Sequence, residues 1–214
     1  MTSSFPASAV VAGATGLVGR ECVDLLLGEP RFKRIIALVR RTLHTTLESE
    51  RLAIKKVDYD NLERSADLFK VDTVFCGLGT TMREAGSEEA FRHVDFDYPM
   101  AVARLGRAGG ARHFLLVSAI GADPHSRVFY NRVKGELEQA IGELGYPSIT
   151  IVRPSLLVGD RPGPRRFERM GGRLGFLSPR RFRPVEATRV AGALVSAAIE
   201  DAPGVHIIEN RDIR

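Results

Sequence analysis

Ala9-Val10-Val11-Ala12-Gly13-Ala14-Thr15-Gly16-Leu17-Val18-Gly19 sets an apolar run directly before three glycines spaced three apart. Beyond it Val18, Cys22, Leu25 and Leu26 recur at helical intervals. A strand therefore feeds a glycine turn and then an amphipathic helix. Glycines there let the backbone bend tightly and approach a pyrophosphate, while the helix N-terminus offers free N–H groups and the positive end of its dipole. Gly13, Thr15, Gly16, Leu17, Val18 and Gly19 are accordingly expected to cradle a dinucleotide.

Working outward, short apolar, β-branched runs recur at Ala9 to Ala12, Arg34 to Val39, Leu52 to Val57, Thr73 to Cys76, His113 to Ser118, Ser148 to Val152 and Val205 to Glu209. Stretches with helical spacing separate most of them, such as Val133, Leu137, Ala140, Ile141 and Leu144. Continuously apolar strands alternating with crossover helices predict an α/β fold: one doubly wound parallel sheet of about seven strands, helices on both faces. Pro99 needs a helix start nearby, and Asp97 as its N-cap predicts a separate short helix over Ser87 to Val94. The 214 residues suit one core better than two, so residues 1–214 are read as a single domain with a small lid portion at about 154–190.

In the NAD form of this architecture an acid about twenty residues past the turn binds the ribose 2′-hydroxyl at the end of the second strand. Here that strand ends Leu38-Val39-Arg40-Arg41. A guanidinium pair does not accept from a hydroxyl but matches a 2′-phosphate, so NADP is expected in preference to NAD. Asp58, closing the third strand, is a candidate adenine contact, and Gly77-Leu78-Gly79-Thr80 after the fourth lets backbone lie against the cofactor.

After the fifth strand stands Ser118, and twelve residues on comes Tyr130-Asn131-Arg132-Val133-Lys134 at the start of a helical pattern. Tyr130 and Lys134, four apart, fall on the inward edge of that helix's apolar stripe and can face a cleft above the sheet. A phenol near pKa 10 handles protons poorly at neutral pH until something stabilises its anion. Lowering it by about three units takes roughly 4 kcal/mol, which one ammonium at about 4 Å supplies where the effective dielectric is near 20. Ser118, Tyr130 and Lys134 are the expected catalytic residues, Ser118 holding the substrate oxygen.

At these residues the chain resembles the atypical short-chain dehydrogenase/reductases, and among them the Tat-interacting, oxidoreductase-like branch. The likeness rests on Gly13 to Gly19, Cys76 to Thr81 with Ala85-Gly86, Phe91, Val94 to Tyr98, Ala108-Gly109-Gly110, His113-Phe114, Ser118, Gly121-Ala122-Asp123, Tyr130 to Glu136, Arg153-Pro154 and Asp160-Arg161. It covers residues 9 to 161 well and the remainder loosely. It implies a Rossmann fold, NADP(H) binding at the glycine turn with Tyr130 and Lys134, the three catalytic residues above, and a segment beginning Arg153-Pro154 that runs past the nicotinamide. Two departures stand out. Many enzymes of the family carry an asparagine on the fourth helix, where this chain offers Asp95 and Asp97. Little sequence also follows the sixth strand to build a deep substrate pocket.

Composition narrows the rest. With 44% hydrophobic residues the chain is neither disordered nor a rod, and no charge-free tract reaches the roughly 18 residues of a membrane span. Cys22 and Cys76 lie far apart and read as core thiols; with no export signal in view, a cytoplasmic location is expected. The histidines show no ligand spacing, so no metal is expected. The net charge of +5 is concentrated between Arg161 and Pro184, where eight arginines face the single acid Glu168. That segment reads as a lid, with an anionic small-molecule substrate or an acidic protein partner as its counterpart, or else as a solvated loop; nucleic acid is disfavoured because no aromatic stacking platform interleaves the arginines. Val190 to Ile199 reads as a last helix that covers the sheet or pairs with a second subunit. Two functions compete: an NADP-dependent oxidoreductase acting on a carbonyl or alcohol, and a non-enzymatic NADP(H)-binding redox sensor that gates a protein partner.

Overall fold

The structure, a computed structural model, describes residues 7–41, 49–159 and 182–213. Most of the arginine-rich segment falls outside the described residues. Seven strands form one parallel sheet: β1 (Ala7–Ala12), β2 (Phe32–Val39), β3 (Leu52–Lys56), β4 (Thr73–Cys76), β5 (His113–Val117), β6 (Ser148–Arg153) and, after a two-stranded ribbon of β7 (Leu157–Val158) with β8 (Val185–Glu186), β9 (Gly204–Glu209). Their order is β3-β2-β1-β4-β5-β6-β9, so the winding reverses between β1 and β4. Every pair in the sheet is parallel. This is a Rossmann-type sheet, and each expected strand is present within two residues.

Strand periodicity sorts the core into two layers. Ala9, Val11, Ile35, Ala37, Phe75, Leu115 and Val152 face one side, where α1 (Leu17–Gly28) and α6 (Ala187–Glu200) cover them with Val18, Cys22, Leu26, Val190 and Leu194. Val10, Ala12, Ile36, Leu38, Val74, Phe114, Leu116 and Ile151 face the other, beneath a 3₁₀ run (Tyr59–Phe69), α4 (Tyr98–Ala108) and α5 (Phe129–Gly142). α6 thus covers the sheet and packs on α1. Both thiols are free and buried, and burial pushes Cys22 up to about 12 and Cys76 up to about 11, so neither is a thiolate.

One expected boundary is corrected. α2 (Met82–Ala85) and α3 (Glu88–Arg92) do precede α4, with the Ser87 hydroxyl accepting from Ala90 N–H at 3.1 Å. Asp97, however, is not an N-cap: its φ −66°, ψ −45° are helical, and the chain passes from α3 into α4 through a π turn over His93–Asp97. Pro99 has no N–H for Asp95 to receive, and the wider turn, in which Tyr98 N–H donates to His93 C=O, carries the helix past that gap. Asp95 is thereby placed on the inner side with no exposure.

His113, at the buried start of β5, shares a 2.9 Å hydrogen bond with Thr150 Oγ1. Burial holds its pKa down at about 4, against an opposing pull from Asp201. The unfolded chain takes this proton near 6.5, so stability is complete above that pH and declines as pH falls from 6.5 to 4, by up to about 3 kcal/mol. Urea melts at pH 7, 5.5 and 4 should show this decline in the wild type and a shallower one in His113→Gln.

Candidate functional site

The site forms where the winding reverses, at the carboxyl ends of β1, β4, β5 and β6. Gly13 sits at φ +80°, open to glycine at little cost, and a Cβ there would lie 2.8 Å from the Gly77 carbonyl. Gly19 is tighter: a Cβ would stand 2.1 Å from Gly13 O. Gly16 N–H donates to Gly13 C=O at 2.9 Å and closes the turn. α1 then begins with no side-chain cap and no acid in its first turn, which leaves its first amides for an anion. The turn therefore fits a pyrophosphate.

Past the carboxyl end of β2 lies a cleft of about 560 Å³ lined by Arg40, Lys56, Val57, Asp58, Tyr59, Asp60 and Tyr98. Arg40 and Lys56 make no ion pair among the described residues, whereas both acids are engaged. Asp58 accepts from Asp60 N–H at 3.1 Å and Asn61 Nδ2 at 2.8 Å, and Asp60 accepts from Tyr98 Oη at 2.8 Å and bonds His93 Nε2 at 2.8 Å. Hydrogen bonds from Tyr98 and His93 hold the Asp60 carboxyl below the usual carboxylate range. Tyr59 and Tyr98, ring centroids 5.4 Å apart, give the cleft an aromatic wall. Arg41 is exposed and does not line it. Lys56, Tyr59 and Tyr98 are additions to the expected set; the β2–β3 register, Val39 beside Lys56, brings Lys56 to Arg40.

Tyr130 and Lys134 share one face of α5. Lys134 is 3% exposed, and its ammonium is 2.6 Å from Oδ1 of Asp95, which is 0% exposed. Asp95 Oδ2 accepts from Thr80 N–H at 2.7 Å. The 77–80 loop is thus tied to α5, and a Cβ at Gly79 would fall 3.3 Å from Asp95 Oδ1 and 3.7 Å from Lys134 Nζ. The Tyr130 ring packs on Phe91 at 5.3 Å. The expected lowering of the phenol is corrected: burial raises the Tyr130 pKa, Lys134 pulls it down, and Asp95 pushes it back up, for a net rise. Burial lowers Lys134, but Asp95 more than restores it, so the ammonium is charged at neutral pH.

Ser118 is buried, and its hydroxyl donates at 2.5 Å to Glu138 Oε1, one helical turn beyond Lys134. Glu138 is clasped by Arg153, whose Nη2 lies 2.6 Å from Oε2 and whose Nη1 reaches Glu209 at 3.0 Å. The structure does not join Ser118 to Tyr130 by a hydrogen bond. Ile120 N–H donates to Pro154 C=O at 2.9 Å, which ties the loops after β5 and β6 together. No group of three or more candidate ligands that could hold a metal ion occurs among the described residues.

Residues 13–200 match the model of the NAD(P)H-binding family. Protein HTATIP2 of Rattus norvegicus is 38% identical over 165 residues, which span 75% of this chain and 67% of that protein. Protein FMP52-1, mitochondrial, of Scheffersomyces stipitis is 32% identical over 221 residues, 96% of each. Among solved structures, a UDP-glucose 4-epimerase of Thermotoga maritima with UDP-glucose superposes with a TM-score of 0.72 at 15% identity, covering 94% of this chain and 76% of that one. A short chain dehydrogenase of Burkholderia cenocepacia in complex with NADP gives 0.69 at 18%, covering 95% and 88%. At such identity these two speak for the fold. The expected cytoplasmic location is overturned: the relatives from S. stipitis, Candida albicans and Coccidioides immitis are named mitochondrial. Among the described residues no helix is long and apolar enough to cross a membrane.

Because backbone fills the space a Gly19 side chain would need, Gly19→Ala should cost about 2 kcal/mol or more in urea melts and abolish the fluorescence enhancement of NAD(P)H. Gly28→Ala, whose Cβ meets nothing within 4 Å, should change neither.

Proposed function

The chain belongs to the NAD(P)H-binding family, and from that premise we propose that it is an NADP-dependent oxidoreductase acting on a carbonyl or alcohol. The observation that carries this reading is the single loop Gly77-Leu78-Gly79-Thr80. At one end its backbone touches the glycine turn, and at the other it donates to the carboxylate that holds Lys134. Phosphate cradle and phenol–ammonium pair are thus parts of one site. Bound there, the nicotinamide supplies or accepts the hydride.

Gly13, Thr15, Gly16, Leu17, Val18 and Gly19 hold the pyrophosphate on α1's free amides. Arg40 and Lys56 take the 2′-phosphate, with Arg41, which does not line the cleft, a lesser contributor, and Asp58, Tyr59 and Tyr98 receive the adenine. Gly77, Leu78, Gly79, Thr80 and Pro154 border the reactive end with Lys134. Tyr130 moves the proton to or from the substrate oxygen. The Ser118 O–H is engaged by Glu138, so toward the substrate oxygen Ser118 presents a lone pair, which accepts from that oxygen once it carries a proton. The domain reading of 1–214, with a lid near 154–190, belongs to the same proposal.

Each charge-assisted contact to a 2′-phosphate is worth about 1.5–3 kcal/mol, roughly 10- to 100-fold in affinity. Arg40→Ala with Lys56→Ala should therefore weaken NADPH strongly in fluorescence titrations and leave NADH within a few-fold. Equal losses for both nucleotides would overturn the cofactor preference. Tyr130→Phe should bind NADPH as the wild type does yet oxidise it with no member of an aldehyde and ketone panel. A wild type that binds NADPH and reduces none of that panel would instead favour the redox-sensing reading.

A further inference from the structure

Two charged groups act electrostatically on Tyr130: the Lys134 ammonium, four residues on along α5, and the Asp95 carboxylate of the π turn. Phe91 of α3 contributes only an apolar ring. Cys76, at the end of β4, faces Lys134, but its thiol is protonated and carries no charge. Asp95 and Lys134 are 2.6 Å apart and both essentially unexposed. Two charges so far from water hold each other, because freeing either leaves the other unsolvated. The carboxylate is also fixed from its other side by Thr80 N–H, so it cannot swing away from the ammonium without losing a second bond.

We propose that Asp95 is a positioning residue that keeps the Lys134 charge engaged in the resting site, so that Tyr130 waits as a protonated phenol and the site is set to give a proton to a carbonyl oxygen rather than to take one from an alcohol. The inference rests on the proton-handling role assigned above to Tyr130 and Lys134. It deepens that role by naming the substrate class, a carbonyl compound, and the preferred direction, reduction. With the carbonyl carbon taking the hydride that bound NADPH would supply, the proton leaves Tyr130 Oη for the carbonyl oxygen, and the phenolate left behind competes with Asp95 for the ammonium. Reprotonation from solvent restores the pair. Burial of the phenol acts in the same direction as Asp95, which is consistent with the net rise at Tyr130.

The test reads the phenol itself in protein without nucleotide. Tyrosinate absorbance is titrated for each protein and for its Tyr130→Phe counterpart, and the difference isolates Tyr130. Asp95→Asn keeps an oxygen for Thr80 N–H and removes the charge, so the Tyr130 transition should fall by about one pH unit or more. A transition within 0.3 unit of wild type in a protein of unchanged circular dichroism would overturn the proposal. Should Asp95→Asn not fold, the doubly neutral Asp95→Asn/Lys134→Gln variant decides. Removing a pair whose charges cancel should leave the transition within about half a unit of wild type, whereas a rise of a unit or more means that Lys134 alone had been governing the phenol. Failure of the parent reading is separable: a shifted transition without turnover of any carbonyl leaves the Asp95 assignment standing, and Tyr130-dependent turnover without the shift removes it alone.

Discussion

Two stretches of backbone meet at the carboxyl end of the central strands, and the meeting is possible only without side chains. Gly13 lies against Gly77, and Gly19 against Gly13, at distances where a methyl group would overlap carbonyl atoms. That approach pins the loop after β4 onto the turn after β1, and the same loop then reaches Asp95 through Thr80 N–H. The anion cradle on one side of the reversal and the ammonium on the other are consequently separated by four residues of constrained chain. A parallel sheet alone provides the crevice; the glycine contact decides which groups stand around it.

Electrostatics divide the crevice into unlike ends. At the β2 edge Arg40 and Lys56 make no ion pair among the described residues and stand beside acids that are already engaged. At the α5 end the buried charges are paired: Lys134 with Asp95, and Glu138 with Arg153 and the Ser118 hydroxyl. An uncompensated end suits a ligand that brings its own negative charge, and a compensated end suits a neutral reacting group. The division matches a nucleotide whose phosphates and reactive ring lie far apart.

The sheet was legible because buried parallel strands are apolar along their whole length, and a run such as Ile35 to Val39 admits few other readings. The 3₁₀ run over Tyr59–Phe69 was not, since only Tyr59, Leu62 and Phe69 are buried in eleven mostly polar residues and the backbone kinks at Asn61 and Ser65. Tyr130 and Lys134 could be placed on one face of their helix from spacing alone. Their partners could not: Asp95 is 39 positions from Lys134 and Ser118 20 from Glu138, and which polar groups share a buried space is settled by packing. The phenol's net rise was missed for the same reason, since a cation's effect depends on whether something else has already claimed it.

The π turn over His93–Asp97 holds one more residue per turn than an ordinary helix. Removing that residue would rotate everything on its N-terminal side by roughly 100° relative to α4. Thermostabilisation by regularising backbone geometry would find this turn an obvious target, and the gain in helix regularity would come with Asp95 swung out of line with Lys134. Irregularity is here the means by which a continuous rod presents a carboxylate inward and a proline-led helix onward, and any engineering of this scaffold should treat those five residues as fixed.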